Sequence, residues 1–185
     1  MPNPDTSQEQ LHGPCLFTFG HGLADRTQIA GLLHGSHIRA VVDVRTAPGS
    51  RRNPDASRQA LTHWLPEHDI SYRWEPRLGG FRKTAPDSPD TFWENESFRG
   101  YAGYTRQPQF LQAMNELLDQ AATTPTAVMC AETLWWRCHR RIIADYAVLI
   151  QHTRVQHLGH DGHLTEHQPT AGARVRADGL LIYDR

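Results

Sequence analysis

Short apolar runs alternate along this chain with stretches whose apolar residues repeat at helical spacing. Because the runs are short and bounded by turn residues, we interpret them as strands, at 16–19, 38–44, 70–74, from Thr126 onward and at 155–158. The helical stretches lie at 25–34, 57–65, 108–122 and 141–150. This alternation predicts an α/β layered fold with a mainly parallel, Rossmann-like sheet. Weaker runs at 164–167 and 180–183 predict a small C-terminal strand extension.

Residues with reactive side chains stand at or just after the ends of these predicted strands. In an open parallel sheet the carboxyl ends of the strands form one rim, and ligands bind outside it. The sequence therefore predicts that a set of polar residues, distant along the chain, meets at one edge. These residues are His21, Asp43, Arg45, Glu75, Arg77, Cys130, Glu132 and His157.

The chain length of 185 residues suits one domain with a substantial core. We predict a single α/β domain at 15–185 after a flexible N-terminal tail at 1–14, which is polar and lacks the features of a signal peptide. No apolar run approaches the roughly 18 residues that span a bilayer, so no membrane partner is expected. Three cysteines are too few for a disulfide framework, which favours reduced thiols and a cytoplasmic location.

The segment 81–106 shows little periodicity and contains several aromatic residues. A structureless loop of this length inside a compact domain is usually functional or disordered, and the aromatic content argues against disorder. We expect this segment to lie over the substrate.

The junction between the strand at Thr126 and the following helix carries the strongest functional signal. Cys130, Cys138 and His139 allow three interpretations: small buried hydrophobic residues, a redox or nucleophilic thiol pair, or a mixed sulfur and nitrogen metal site. Glu132 is either a catalytic carboxylate with a raised pKa or an ion-pair partner of a nearby arginine. His21 and His139 are candidate acid–base groups, and Asp43 is expected to orient Arg45 or His21.

Basic and aromatic residues accompany these groups. Arginine accounts for 18 of the 19 basic residues, although the formal net charge of −1 argues against a uniformly basic nucleic-acid surface. Guanidinium groups bind phosphate and aromatic rings stack on bases. The candidate phosphate-binding residues are Arg45, Arg51, Arg52, Arg137 and Arg140. The candidate stacking residues are Trp93, Phe98, Tyr101, Tyr104 and Trp136, and Trp135 lies beside them.

Several ordered motifs resemble a bacterial and archaeal family named domain of unknown function 488. They include Gly20-His21, Val42-Asp43-Val44-Arg45, Leu78-Gly79-Gly80 and Cys130-Ala-Glu132 followed by Cys138-His139-Arg140. The resemblance covers most of 16–183 and implies an α/β fold without a settled reaction. Two positions depart from the family pattern: Gly22 replaces a usual Ser or Thr, and Trp135 replaces a common proline.

Together these features favour an enzyme that acts on a nucleotide, a nucleoside or damaged nucleic acid. Its reaction would be hydrolytic cleavage of a glycosidic or phosphoester bond, with Glu132 as the catalytic carboxylate and His21 or His139 as the proton-transfer partner. The first alternative is a thiol-redox or metal-binding protein centred on Cys130, Cys138 and His139. The second is a non-catalytic regulatory or partner-binding module. The sequence indicates no particular cofactor.

Overall fold

The structure, a computed structural model, describes residues 13–185. The predicted tail at 1–14 therefore lies outside the described residues except for its last two positions. The strands are β1 (Cys15–Gly20), β2 (Ala40–Asp43), β3 (Ser71–Trp74), β4 (Thr126–Cys130), β5 (Arg154–Leu158), β6 (Leu164–Glu166), β7 (Ala173–Val175) and β8 (Leu181–Tyr183). The helices are α1 (Arg26–Gly35), α2 (Arg58–Trp64), α3 (Glu96–Tyr104), α4 (Pro108–Thr123) and α5 (Arg140–Leu149).

The central sheet has six strands in the order β3-β2-β4-β1-β5-β6. The first five are parallel to one another, and β6 pairs with β5 in the antiparallel direction. Of the two strands predicted for the C-terminal extension, the run at 164–167 forms β6 of the central sheet. The run at 180–183 forms β8, which pairs in the antiparallel direction with β7, a strand that the sequence did not predict. The predicted α/β fold with a mainly parallel sheet is confirmed.

Both faces of the sheet are covered, and β4 shows why its sequence is almost continuously apolar. Val128 belongs to the core beneath α4 and α5, whereas Ala127 and Met129 belong to the core beneath α1 and α2. Because side chains alternate along a strand, a strand buried on both faces needs apolar residues at successive positions. The predicted helical stripe of α4 is also core, with Phe110, Met114 and Leu117 fully buried; all three belong to the first of these cores.

The segment 81–106 is not the structureless loop that its sequence suggested, since α3 occupies 96–104. Asn95 caps this helix by accepting hydrogen bonds from the amides of Ser97 and Phe98. Gly100 lies against the backbone of Arg82, where an added Cβ would approach the Arg82 oxygen to 2.0 Å. Close packing therefore requires a glycine inside α3, which weakens the helical signal in the sequence.

Glycines also shape the rim of the sheet at the end of β1. A Cβ on Gly20 would lie 1.8 Å from the carbonyl oxygen of Glu132, so only glycine lets the loop after β4 cross this strand. Gly22 has a φ of +52° and faces the hydroxyl of Thr133. These contacts hold the loop after β4 against the end of β1. No helix within the described range 13–185 is both long and apolar enough to cross a membrane.

Candidate functional site

The carboxyl ends of β1, β2 and β4 are adjacent, and they bring three predicted site residues to one rim. The amide of His21 donates to the Cys130 carbonyl at 2.9 Å. The Arg45 guanidinium donates from Nη1 to His21 Nε2 at 3.1 Å. The predicted convergence of distant segments at one sheet edge is therefore observed for His21, Arg45 and Cys130.

A cavity of about 370 Å³ lies beside these strand ends, and we call it the rim cavity. Its β4 side is lined by Cys130, Glu132, Arg137, Cys138 and His139. Its other side includes Arg45 and five residues from 81–106, namely Phe81, Asn95, Ser97, Phe98 and Tyr101. The segment 81–106 thus contributes one wall of the cavity, and its role in covering a substrate remains a prediction.

Cys130, Cys138 and His139 form a cluster on this cavity, with their sulfur and nitrogen atoms within 4.8 Å of one another. Cys138 Sγ lies 3.6 Å from His139 Nδ1. The other ring nitrogen, Nε2, lies 3.2 Å from the Val44 carbonyl oxygen. Because a carbonyl only accepts, Nε2 carries the proton, and in a neutral imidazole Nδ1 is then the acceptor that faces the Cys138 thiol.

The third polar group at Cys138 is Arg140, at the start of α5. Its Nε donates to Cys138 Sγ at 3.5 Å, and Nη2 donates to the carbonyl oxygens of Glu132 and Thr133. Hydrogen bonding from Cys130 holds the pKa of Cys138 well below its usual range despite burial, and the neighbouring His139 and Arg140 side chains lower it further. The pKa of Cys130 is raised, so Cys138 is the more acidic thiol of the pair.

The same cluster has the donor types of a metal site, and Cys130, Cys138 and His139 could supply two sulfur ligands and one nitrogen ligand. However, Arg140 already places a positive charge within hydrogen-bond distance of the Cys138 sulfur. A metal cation bound to that sulfur would be repelled by this buried guanidinium. The arrangement therefore fits a thiolate better than a metal centre.

Asp43 and Arg45 form a closed ion pair under the rim. Arg45 donates from Nε to Asp43 Oδ1 at 2.8 Å and from Nη2 to Oδ2 at 2.6 Å, and Tyr72 donates its hydroxyl to Oδ2 at 2.7 Å. Burial and the Asp43 charge raise the pKa of Tyr72, so this hydroxyl stays protonated. The structure thus gives Asp43 the orienting contact to Arg45 that the sequence suggested.

His21 is fixed by that ion pair and is neutral. Its Nε2 accepts from Arg45, so the proton lies on Nδ1, which donates to the Gly22 carbonyl oxygen at 2.9 Å. Burial and the charge of Arg45 lower the pKa of His21. Both ring nitrogens are occupied by protein groups. This arrangement favours His139 over His21 as the acid–base group.

Besides Arg140, which is described below, five predicted binding residues are not among those that line the rim cavity. Arg51 and Arg52 are exposed in the loop after β2, and Trp136 is 48% exposed. Trp93 is buried between Phe98 and Tyr183, and the Tyr104 hydroxyl donates to the Arg77 carbonyl at 2.8 Å while its ring packs against Arg82. Core packing explains Trp93 and Tyr104, whereas nothing in the structure explains Arg51 and Arg52.

The predicted role of Arg140 also needs correction, because the sequence suggested that this residue binds phosphate. Its side chain is 1% exposed and its N–H groups are directed at protein acceptors. Three buried polar residues behind Arg140 were not predicted as site residues, namely Thr18, which accepts from Arg140 Nη1, and Asp145 and His167, which hydrogen-bond to each other. These residues lie within a strand, within a helix and after an edge strand, where no local pattern separates a functional polar residue from a structural one.

The fold and the site define a class of protein: an α/β protein with a thiol cluster at the carboxyl rim of a parallel sheet. A family model described as "Domain of unknown function DUF488" matches residues 25–147. The chain belongs to this family, and the resemblance drawn from its motifs is confirmed. No curated protein and no solved structure matches the chain.

Proposed function

We propose that this protein is an enzyme that uses the Cys138 thiolate as a nucleophile on a small substrate bound in the rim cavity. The observation that carries this proposal is the environment of the Cys138 sulfur. His139 Nδ1 lies 3.6 Å away, Arg140 Nε lies 3.5 Å away, and the Cys130 thiol completes the cluster. A cysteine with an adjacent histidine and a cation is the usual arrangement for an activated thiol.

The charge balance around Arg140 gives independent support. A buried guanidinium is costly unless an anion or several good acceptors surround it. Within residues 13–185, Arg140 forms no salt bridge with a carboxylate. The Cys138 thiolate is the anionic group that contacts it, so the guanidinium and the thiolate stabilise each other.

The chemical step that follows is displacement at an electrophilic carbon. In the reactive form the Cys138 proton has already passed to His139, which gives a thiolate and an imidazolium. The Cys138 thiolate forms a bond to the carbon, and the leaving group departs with the electron pair of its bond. The imidazolium of His139 then protonates the leaving group. Water next attacks the same carbon and gives its proton to His139, and the sulfur leaves as the thiolate. The net reaction is hydrolysis, which needs no oxidant or reductant.

The cavity walls support a nucleotide or nucleoside as the substrate class. Arg137 offers an exposed guanidinium for an anionic group, and Phe98 offers an aromatic ring on the opposite wall. The exposed carboxylate of Glu132 lines the same cavity. We propose that Glu132 binds polar groups of the substrate, with Cys138 rather than Glu132 as the group that forms the covalent bond.

Alkylation with iodoacetamide across a pH series tests this proposal, with the labelled cysteine identified by mass spectrometry. Cys138 is expected to react at pH 6, far below the midpoint near 8.5 of an ordinary thiol. Cys15, whose pKa is raised by burial, serves as the internal control and should react only at high pH. An ordinary profile for Cys138 would contradict the proposed reactive group.

The substrate class has its own test in the same assay. A nucleotide bound in the rim cavity would cover Cys138, so a panel of nucleotides and nucleosides at low salt should slow alkylation at pH 6. Low salt strengthens phosphate contacts. If a reactive Cys138 is protected by no member of the panel, the thiol chemistry stands and the nucleotide class is wrong.

A further inference from the structure

A chain of hydrogen bonds between buried polar residues runs through the core behind the thiol cluster. It starts at Asp145 in α5, whose Oδ1 lies 2.9 Å from His167 Nε2 and whose Oδ2 accepts from the Tyr183 hydroxyl at 2.9 Å. His167 Nδ1 lies 2.9 Å from His157 Nε2 on β5. The indole of Trp135 stacks on the His157 ring, with centroids 4.1 Å apart. Each ring in the chain is therefore held in one orientation.

The chain continues from His157 to the thiol through β1. His157 Nδ1 lies 2.7 Å from Thr18 Oγ1, and Thr18 Oγ1 accepts from Arg140 Nη1 at 3.3 Å. Arg140 then donates from Nε to Cys138 Sγ. The Thr18, Asp145, His157 and His167 side chains are all buried. An uninterrupted line of hydrogen bonds thus connects the Asp145 carboxylate with the Cys138 sulfur.

The chemistry of the two ends gives this line a direction. Arg140 can only donate, and ionised Asp145 can only accept. One set of protons satisfies every contact between these ends: His167 Nε2–H donates to Asp145, His157 Nε2–H donates to His167 Nδ1, and the Thr18 hydroxyl donates to His157 Nδ1. The Thr18 proton is then committed to His157, which leaves its oxygen lone pairs for Arg140. Burial and the neighbouring His167 and Arg140 lower the pKa of His157 to about 3, in keeping with a neutral ring.

We propose that Thr18, His157, His167 and Asp145 are positioning residues that hold the Arg140 guanidinium against the Cys138 sulfur. This inference rests on the proposed function, because it assigns the buried chain to the thiolate that the function requires. The chain links a cation to a distant carboxylate through neutral groups. The guanidinium is thereby fixed without a carboxylate beside it, and its charge stays available to the thiolate.

Other titratable groups also face Cys138, and substitutions in the hydrogen-bond chain do not alter these groups. Cys130 approaches from β4, His139 from the start of α5, and Tyr101 from α3, while Glu132 lines the same cavity. Because these groups keep their positions, a shift of the Cys138 titration in a chain variant reports on Arg140.

The deciding experiment compares Thr18→Val and Thr18→Ser in the pH series of Cys138 alkylation by iodoacetamide. Valine keeps the shape of threonine and removes the acceptor of Arg140 Nη1. We expect the midpoint of the Cys138 alkylation profile to rise by about one pH unit, so that the rate at pH values below both midpoints falls about tenfold. The plateau rate at high pH should not change, because the sulfur and its access are intact. Serine restores the hydroxyl and should restore the wild-type midpoint.

Thr126→Val is the matched control, because Thr126, like Thr18, is a buried threonine in a strand. The Thr126 hydroxyl donates to the backbone carbonyl of Thr124 at 2.7 Å. Thr126 lies at the opposite end of β4, so the Cys138 midpoint should stay at the wild-type value. If Thr18→Val does not fold, as judged by circular dichroism, His157→Leu takes its place and should produce a shift in the same direction.

The outcomes separate this inference from the proposed function. An ordinary thiol profile in the wild-type protein defeats the proposed function itself. A low wild-type midpoint that Thr18→Val leaves in place defeats only the inference, because Arg140 is then held without the chain. A parallel loss of rate at every pH in Thr18→Val also overturns it, since that pattern indicates general structural damage.

Discussion

Two buried arginines lie at the same rim, and they are stabilised in different ways. Arg45, 5% exposed, forms a two-point ion pair with the Asp43 carboxylate. Arg140, 1% exposed, forms no carboxylate ion pair with any part of the chain that the structure describes; it contacts the Cys138 sulfur, two carbonyl oxygens and Thr18. The first guanidinium is neutralised by its own partner, whereas the second is directed at the Cys138 sulfur.

This difference separates a charge paired within the structure from the charge that we propose to stabilise the Cys138 thiolate. The Asp43 carboxylate accepts from Arg45 and from Tyr72, so the ion pair is a self-contained unit that positions His21. Arg140 is connected to a carboxylate, that of Asp145, only indirectly, by hydrogen bonds through Thr18, His157 and His167. A guanidinium with a distant counter-charge stabilises a nearby anion more strongly than one that is already paired.

Asp43→Ala should produce the largest change in stability, because it leaves the Arg45 charge buried and unpaired. Removal of one partner of a buried ion pair costs about 3–5 kcal/mol. Urea unfolding at pH 7.5 measures the loss. A cost below about 1 kcal/mol would show that Arg45 reaches water when Asp43 is absent, and the contrast between the two arginines would then disappear.

The hydrogen-bond chain behind Arg140 should make the free energy of unfolding depend on pH through His157. The pKa of His157 is lowered to about 3 in the folded protein from an ordinary value near 6.5. The unfolded chain therefore binds the proton first, and stability falls as the pH drops from about 6.5 towards 3. Between pH 7.5 and 4.5 the His157 contribution to this loss is about 2–3 kcal/mol.

His157→Gln tests this expectation, because glutamine does not titrate. The variant is expected to be less stable than the wild type at pH 7.5, and the difference should narrow by about 2–3 kcal/mol at pH 4.5. His163→Gln, at an exposed position, is the control and should follow the wild-type curve. Parallel curves for His157→Gln and the wild type would mean that His157 titrates normally in the folded state.

The two arginines can also be compared directly by their effect on the thiol. Arg140→Met removes the cation that contacts Cys138 and should lower the alkylation rate of Cys138 about tenfold or more at pH values below its wild-type midpoint. Arg45→Met removes a cation that is already paired with Asp43 and should change that rate by about twofold at most. Equal effects of both variants would indicate that the overall positive charge of the rim, rather than contact with the sulfur, favours the thiolate.

The sequence predicted the sheet and the rim because both follow from local patterns. The apolar runs located every strand of the central sheet, and the polar residues at their ends converge because parallel strands end at one edge. The helix α3 was missed, since Gly100 and Gly103 lower helical propensity while tertiary contacts favour the helix. In this segment the local sequence pattern disfavours a helix while tertiary packing favours one, and the packing determines the structure.

The contrast between Arg45 and Arg140 could not have been predicted from the sequence. Both arginines follow a strand or open a helix near the rim, and both look like candidates for phosphate binding. Asp43 is two residues from Arg45 and can be proposed as its partner, whereas Thr18 is 122 positions from Arg140 along the chain. Only the fold brings such residues together, and their hydrogen-bonding state depends on that geometry.

The smallest effect is expected at the exposed ion pair of Arg26 and Glu67, which serves as the reference for Asp43→Ala. Their side chains are 44% and 50% exposed, so water solvates either charge when the other is removed. Glu67→Gln should therefore change the free energy of unfolding by less than about 1 kcal/mol, measured in the same urea titration. If Glu67→Gln lowered the free energy of unfolding as much as Asp43→Ala does, loss of the carboxylate partner alone would explain the destabilisation in both variants. Burial of the arginine would then not matter. The distinctive environment of Arg140 would then no longer imply a stabilised thiolate.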